Sequence, residues 1–241
     1  IHQQKVKNQG DKFICVSDFI AQQALRHGFP ESKIVQHYIG IDVDKYQPRE
    51  REDDQGIILH VARLVEKKGT AVLINAIKHV KAQYAEAKLV IIGEGPLMPG
   101  LKAQVASLGL EQNVIFTGAL PHNNVMAWMR KASMLVLPSI TAKTGDAEGL
   151  GMVLLEAAVT GVPVIGTRHG GIPEAIIDEH TGFLVTERDD KQLADRISFL
   201  LNDEQKRAEM GRNARKFISE KFNLSTQTLK LEKIYQELIH G

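Results

Sequence analysis

Two glutamates, Glu148 and Glu156, lie eight residues apart in the stretch E-G-L-G-M-V-L-L-E. Gly149 and Gly151 leave the backbone bare where we predict that a helix begins, and the unpaired N–H groups and partial positive charge of a helix start favour a phosphate. Eight residues of helix span about 12 Å, which is close to the combined length of a sugar, a diphosphate and a ribose. The spacing therefore predicts that each carboxylate binds hydroxyl groups at one end of a nucleotide sugar, unless both are ordinary solvated helix charges.

A pair of cations, Arg63 and Lys68, lies five residues apart on the loop that follows an apolar run at 57–61. An arginine guanidinium binds phosphate through two parallel hydrogen bonds, and a lysine ammonium adds a point charge. This loop therefore predicts a clamp for a diphosphate, with a solvated surface loop as the alternative.

Two further loops carry candidate contacts. Gly118 and Leu120 follow an apolar run, and their free backbone would border a flat base; a plain turn is the alternative. His169 precedes the paired glycines Gly170 and Gly171, which allow a close approach of the backbone. It is either a ligand contact or a surface histidine, and we expect the surface position.

The composition excludes several classes of partner. Lys and Arg number 30 and Asp and Glu 29, for a net charge of +1, and aromatic residues make up 5%, so nothing calls for nucleic acid. The single cysteine, Cys15, excludes an internal disulfide and fits a reducing cytosol. The nine histidines are scattered and no cysteine cluster is present, so we expect no metal site. We expect no transmembrane segment or signal peptide, and because the chain begins at Ile1 we expect a piece of a longer polypeptide.

Continuous apolar runs alternate with amphipathic stretches through most of the chain. We predict strands at 57–61, 88–93, 113–117, 134–138, 162–166 and 182–185, and helices at about 70–84, 97–108, 121–131, 150–160 and 172–178. This alternation predicts an α/β fold, a Rossmann-like, doubly wound parallel six-stranded sheet with helices on both faces and a ligand crevice at the carboxyl ends of its strands. Three helices, at about 189–202, 204–220 and 224–239, complete the chain.

Two shorter strands, at 12–16 and 34–39, come before this region, with a helix at 18–27 between them. The stretch 42–56 is charged and has no apolar period, so we predict a linker there. The predicted division is a small N-terminal part at 1–41, the linker 42–56, the main domain 57–225 and a final helix within 226–241.

Four motifs in order resemble the C-terminal, donor-binding half of a family 4 (group 1) retaining glycosyltransferase with the GT-B fold. They are V-A-R-L-V-E-K-K-G (61–69), I-I-G-E-G-P (91–96), E-G-L-G-M-V-L-L-E (148–156) and G-V-P-V-I-G-T-R-H-G-G-I-P-E (161–174). The stretch H-Y-I-G-I-D (37–42) resembles the hinge region of bacterial exopolysaccharide and lipopolysaccharide members. The resemblance covers about residues 10–225. It implies that 1–41 is the end of the acceptor-binding N-terminal domain and that 226–241 is a crossover helix that packs back on that domain.

The resemblance also implies a role for each candidate residue. Glu148 would be the catalytic residue, contacting the hexose and stabilising the reacting sugar, and Glu156 would hold the ribose hydroxyls. Arg63 and Lys68 would bind the donor diphosphate. Backbone amides for the sugar and phosphate would come from Gly149, Leu150, Gly151 and Met152. Val153 would lie beside the ribose, and Gly118 and Leu120 would border the base.

The implied reaction is the retaining transfer of a hexose from a UDP- or GDP-sugar to a glycan or lipid-linked acceptor, in bacterial cell-surface polysaccharide synthesis, without a metal or another cofactor. Since only the end of the N-terminal domain is present, we expect this chain alone to bind nucleotide but to be weakly active or inactive. The whole enzyme would be cytoplasmic, either free or peripheral at the inner face of the membrane. Two alternatives stay open: a nucleotide-sugar 2-epimerase of the same fold, and a non-catalytic nucleotide-binding module.

Overall fold

The computed structural model describes residue 7, residues 9–48 and residues 54–240. Parts of the predicted segments 1–41, 42–56 and 226–241 therefore lie outside the described residues. The division into domains stays a prediction.

A small two-stranded sheet comes first in the described chain. It pairs β1 (Phe13–Cys15) with β2 (Ile34–Gln36) in parallel, and α1 (Asp18–Arg26) connects them, followed by a 3₁₀ turn at Glu31–Lys33. The strand predicted at 34–39 ends at 36, because β1 offers partners to only three residues.

The main sheet contains six parallel strands in the order β5-β4-β3-β6-β7-β8. The strands are β3 (Ile57–Val61), β4 (Lys88–Ile92), β5 (Val114–Gly118), β6 (Ala132–Leu137), β7 (Val164–Thr167) and β8 (Gly182–Val185). The predicted α/β fold, with a doubly wound parallel six-stranded sheet, is confirmed.

Helices connect these strands and complete the chain. They are α2 (Thr70–Gln83), α3 (Met98–Ser107), α4 (His122–Lys131), α5 (Met152–Val159), α6 (Ile172–Ala175), α7 (Asp190–Asn202), α8 (Glu204–Lys221) and α9 (Leu224–His240). Within the described ranges, none of them is long and apolar enough to cross a bilayer.

The hydrophobic core lies on both faces of the main sheet, and β4 shows why. Successive side chains of a strand point to opposite faces. Leu89 and Ile91 accordingly belong to one buried apolar cluster, whereas Val90 and Ile92 belong to the other. Helices cover both clusters, so every position of the strand interior favours an apolar residue.

Two helices are each three residues shorter than the sequence predicts. The helix expected from residue 150 begins at Met152, because Gly151 has a left-handed backbone with φ of 82° and cannot continue a right-handed helix. The helix expected over 172–178 ends at Ala175, because Ile176 is extended and leads to a β-bridge at Asp178.

Glu174, on α6, joins the start of α1 to the main sheet unit. Its two carboxylate oxygens accept hydrogen bonds from the backbone N–H groups of Asp18 at 2.9 Å and Phe19 at 3.0 Å. The side chain of Ser17 caps the same helix and donates to the carbonyl oxygen of Gly149 at 2.6 Å. The N-terminal part therefore lies directly against the loop that leads into α5.

Candidate active site

Two of the candidate residues, Lys68 and Glu148, meet where the strand order of the main sheet reverses. β3 and β6 are neighbours in the sheet although β4 and β5 separate them along the chain, and the chain moves outwards from each in opposite directions. Ligands of open α/β sheets bind outside the carboxyl ends of the strands at such a switch point. Lys68 follows β3 and Glu148 follows β6, so the two charges approach from opposite halves of the sheet.

A glycine allows the loop after β3 to lie against the end of β6. This loop forms a 3₁₀ turn at Glu66–Lys68, and Gly69 then has a left-handed φ of 65°. A Cβ added to Gly69 would lie 1.8 Å from the carbonyl oxygen of Pro138, so any other residue would push the two loops apart. Lys68 is thereby held next to the loop that carries Glu148.

Lys68 and Glu148 form an ion pair from which most water is excluded. Nζ of Lys68 donates to Oε2 of Glu148, and the two side chains are 17% and 11% exposed. The hydroxyl of Ser139 lies 3.4 Å from the same oxygen. The neighbouring pair of Lys67 and Asp146, in contrast, lies at the surface, since the Asp146 side chain is 56% exposed. Removing one member of a buried pair leaves the charge of the other uncompensated, so the two candidate residues depend on each other.

The backbone of Glu148 is fixed on both sides. Its N–H donates to Nε2 of His169 at 3.2 Å, and its carbonyl oxygen accepts from the N–H of Gly171 at 3.0 Å. Gly170 has a positive φ of 56°, and a Cβ there would lie 2.1 Å from that carbonyl oxygen. The loop after β7 therefore packs directly on the loop after β6 and determines where the Glu148 side chain begins.

The prediction that His169 lies at the surface is wrong, because the residue is only 5% exposed. Its Nδ1 lies 2.9 Å from a carboxylate oxygen of Glu187, which follows β8. Sequence reasoning missed this pair. The two glycines after His169 did indicate a close backbone approach, but nothing in the sequence points to Glu187 as the partner.

The backbone that leads into α5 offers unpaired donors. The side chain of Leu150 is buried in the core, so this residue presents only its backbone to a ligand. Five successive N–H groups have no acceptor among the residues that the structure describes, and they belong to Gly149, Leu150, Gly151, Met152 and Val153. The predicted helix start with free amides therefore lies beside Glu148, where it favours negative charge.

Glu156 lies further along α5 and is half-buried. Burial raises the pKa of its carboxyl, and His122 partly offsets this effect. Burial, and then the charge of Glu156, raises the pKa of Tyr46, so these side chains lie near one another. The Glu156 carboxylate makes no hydrogen bond within the described chain, so its oxygens are available as acceptors. The estimate of about 12 Å between the two carboxylates does not apply, because Glu148 lies in the loop before the helix.

Arg63 differs from Lys68 in having no side-chain partner within the described part of the chain. It lies on the same loop after β3 but is exposed, and its guanidinium makes no hydrogen bond or ion pair with any residue that the structure describes. The structure thus brings Lys68 to Glu148 and leaves Arg63 open to an anion.

A cleft of about 660 Å³ opens beside Gly118, at the end of β5. Glu94, Lys102 and Phe116 contribute to its walls. Leu120 does not line this cleft but packs against the apolar core, so the two predicted border positions face different surroundings.

Metal ligands do not cluster in the described ranges, 7, 9–48 and 54–240. No three His, Cys, Asp or Glu side chains there come together as a group that could hold a metal ion.

Comparison with known sequences identifies a family whose model matches most of the chain. The sequence model of the family described as "Glycosyl transferases group 1" matches residues 42–217. WcaL of Escherichia coli K12, a putative colanic acid biosynthesis glycosyltransferase, is 33% identical over 238 residues, which cover 98% of this chain and 59% of that protein. A GDP-mannose-dependent alpha-(1-6)-phosphatidylinositol monomannoside mannosyltransferase of Mycolicibacterium smegmatis is 30% identical over 242 residues, covering 95% of this chain and 63% of that protein. The chain thus spans about three fifths of the length of these curated relatives.

Solved structures share the fold. HepE of Anabaena, in complex with UDP and glucose, superposes with a TM-score of 0.88 at 23% identity, over 97% of this chain and 65% of that one. The C-terminal domain of LpcC, a glycosyl transferase group 1 family protein of Francisella tularensis, gives a TM-score of 0.68 at 27% identity, over 77% of this chain and 100% of that domain. The predicted GT-B fold is confirmed, and the chain contains the C-terminal type of domain.

Proposed function

The chain belongs to the group 1 family of glycosyltransferases, and we propose that the whole protein transfers a hexose, with retention of configuration, from a UDP- or GDP-sugar to a glycan or lipid-linked acceptor. The relatives support the reaction class, since one is a putative colanic acid glycosyltransferase and another is named for its dependence on GDP-mannose. We assign the acceptor to cell-surface polysaccharide synthesis and the reaction to the cytoplasm or the inner face of the membrane.

The observation that carries the proposal is the buried ion pair of Lys68 and Glu148 beside unpaired helix amides at the switch point of the sheet. Sugar transfer produces a nucleoside diphosphate anion and an oxocarbenium-like sugar, so the site has to stabilise opposite charges a short distance apart. A cation and an anion that already lie side by side provide both charges.

Donor binding would divide this pair between the two ends of the reacting bond. The diphosphate would bind Lys68, Arg63 and the free amides that lead into α5, and the hexose hydroxyls would donate hydrogen bonds to Glu148. The sugar–phosphate bond then breaks with its electron pair on the departing phosphate oxygen, where these positive groups stabilise it. We propose that this charge is sufficient without a bound metal ion.

The other donor contacts follow from the same orientation. The ribose hydroxyls would donate to the Glu156 carboxylate, which has no hydrogen bond of its own in the described chain. Val153 would lie beside the ribose, and the base would lie toward Gly118 and Leu120. We propose front-face attack by the acceptor hydroxyl on the same side as the departing phosphate, whose oxygen takes up the hydroxyl proton, with Glu148 stabilising the sugar rather than forming a bond to it.

Calorimetric titration of the chain with UDP, GDP and ADP tests the donor site. We expect one nucleotide to bind selectively, and Arg63→Ala to weaken that binding about tenfold or more, because a charge-assisted hydrogen bond contributes about 1.5–3 kcal/mol. Arg212→Ala is the matched control, since Arg212 is an exposed arginine on α8. Binding of none of the three, or an equal loss in both variants, would refute the site.

Transfer itself is tested with the full-length protein. Formation of free nucleoside diphosphate together with a sugar joined to an acceptor is the expected result. Inversion at C2 of the sugar without an acceptor product would instead indicate an epimerase.

A further inference from the structure

His169 lies behind the loop that carries Glu148, and its ring links three loops. Nε2 lies 3.2 Å from the backbone nitrogen of Glu148, and Nδ1 lies 2.9 Å from Oε1 of Glu187. The His169 side chain is only 3% exposed. The ring therefore connects the loop after β7 with the loop after β6 and with the segment after β8.

The backbone N–H of Glu148 determines which ring nitrogen of His169 carries the proton. A peptide N–H can only donate, so Nε2 has to be the unprotonated nitrogen that accepts. Nδ1 then carries the proton and donates it to the carboxylate of Glu187. A carboxylate on one ring nitrogen commonly selects the tautomer and the orientation of a histidine in this way.

Glu187 is held in turn by Thr141. The backbone N–H of Thr141 donates to Oε2 of Glu187 at 2.7 Å. Burial raises the pKa of Glu187, but the hydrogen bonds from Thr141 and His169 outweigh it and bring the pKa below its ordinary value. The carboxylate is therefore ionised at neutral pH and remains an acceptor for Nδ1–H.

These contacts leave the Glu148 backbone little freedom. Its carbonyl oxygen is bound by the N–H of Gly171, and Gly170 allows that close approach. The bond to His169 fixes the N–H on the other side. With both polar groups of its main chain engaged, the direction in which the Glu148 side chain leaves the backbone is determined.

We propose that His169 and Glu187 are positioning residues for Glu148, and that they aim its carboxylate at Lys68 in the free site and at the donor hexose in the occupied site. In this arrangement both residues act through the Glu148 loop and not through a contact with the donor. The second half of the inference rests on the proposed function, in which Glu148 contacts the sugar and other residues hold the nucleotide. The His169–Glu187 pair therefore acts on binding of the sugar and not on binding of the nucleotide.

The test compares two ligands on the full-length protein, with UDP and GDP measured beside UDP-glucose and GDP-mannose. Loss of the acceptor at position 169 in His169→Leu should weaken binding of the nucleotide sugar about tenfold more than binding of the bare nucleotide, a factor that corresponds to about 1.4 kcal/mol. His169→Gln should restore part of this difference, because its amide oxygen can accept from the Glu148 N–H. His180→Leu, at an exposed histidine, is the control and should leave both affinities unchanged.

An equal loss for nucleotide and nucleotide sugar, or a glutamine variant no better than the leucine variant, would overturn the inference. The tautomer can also be measured without any substitution. Long-range ¹H–¹⁵N spectra of the wild-type chain at neutral pH should show Nε2 of His169 unprotonated and Nδ1 protonated, and the opposite assignment would overturn it. If neither nucleotide binds the wild-type protein, the proposed function fails, and the spectrum still decides whether His169 supports the Glu148 backbone.

Discussion

The buried ion pair can be broken from either side, and the two breaks should differ in cost. Lys68→Met leaves the Glu148 carboxylate, 11% exposed, with only the Ser139 hydroxyl at 3.4 Å to replace the ammonium. Removing one member of a buried pair costs about 3–5 kcal/mol. Because both side chains keep some contact with water, we expect the lower end, about 3 kcal/mol of unfolding free energy.

Glu148→Gln should cost less, about 1 kcal/mol, because the long stem of Lys68 allows its ammonium to reach water. The double variant has no unpaired charge, so its stability should lie close to that of Glu148→Gln alone. The coupling energy between the two substitutions is then about 3 kcal/mol in magnitude, which is at the upper end of the range for residues in direct contact. Urea unfolding of the wild-type chain, the two single variants and the double variant, followed by circular dichroism, measures each of these unfolding free energies.

Lys67→Met is the matched control, because it removes an adjacent lysine whose partner, Asp146, has a side chain that is 56% exposed. A surface pair of this kind contributes about 0–1 kcal/mol, so this substitution should change the unfolding free energy by no more than about 0.5 kcal/mol. A Lys68→Met cost no larger than the Lys67→Met cost would refute the buried pair, and with it the organisation of the free site.

Three further substitutions test the structure around the site. Gly69→Ala should lower the free energy of unfolding by more than about 2 kcal/mol in thermal unfolding. The reason is that φ is +65° and that the new Cβ would lie 1.8 Å from the Pro138 carbonyl oxygen. Gly100→Ala is the control and should be neutral or stabilising, because the space around Gly100 is open. Equal effects would contradict the close approach of the two loops. Glu156→Gln should raise the free energy of unfolding at neutral pH, because burial raises the pKa of the Glu156 carboxyl and the folded state therefore disfavours its charge. This gain should vanish in acid, where the carboxyl is protonated in both the folded and the unfolded chain. Nucleotide binding should weaken in the same variant. Burial lowers the pKa of His60 in the folded chain to about 4. As the pH falls, the imidazole is therefore protonated in the unfolded chain before it is protonated in the folded chain. About 3 kcal/mol of unfolding free energy should be lost between about pH 6.5 and pH 4. A His60→Asn variant with the same acid loss would show that another group is responsible.

The strands of the main sheet could be predicted because their environment requires a continuous apolar run. In β4, both the residues that face one cluster and those that face the other are apolar, which only a sheet covered on both faces demands. The parallel order then determines that the loops after β3 and β6 meet. The fold and the neighbourhood of the site therefore follow from patterns that are local in sequence.

The contacts within the site could not be predicted in the same way. Lys68 and Glu148 are 80 residues apart, and their pairing depends on the close approach that Gly69 permits, which no pattern of residue types reveals. The burial of His169 depends on a backbone N–H of one loop and a carboxylate of another. Main-chain donors carry no signature in a sequence, so a histidine that binds one has the same appearance as a histidine at the surface.

The attachment of α1 has a consequence for how freely its sequence can vary. Glu174 binds the helix through the main-chain N–H groups of Asp18 and Phe19, so these two hydrogen bonds do not depend on which side chains stand at those positions. Nineteen of the twenty residue types supply the same N–H group, and proline alone removes it. The hydrogen bonds that hold the N-terminal part near the Gly149 loop therefore depend on two side chains, Glu174 and the Ser17 cap, whereas the N–H groups of Asp18 and Phe19 would be supplied by any residue except proline.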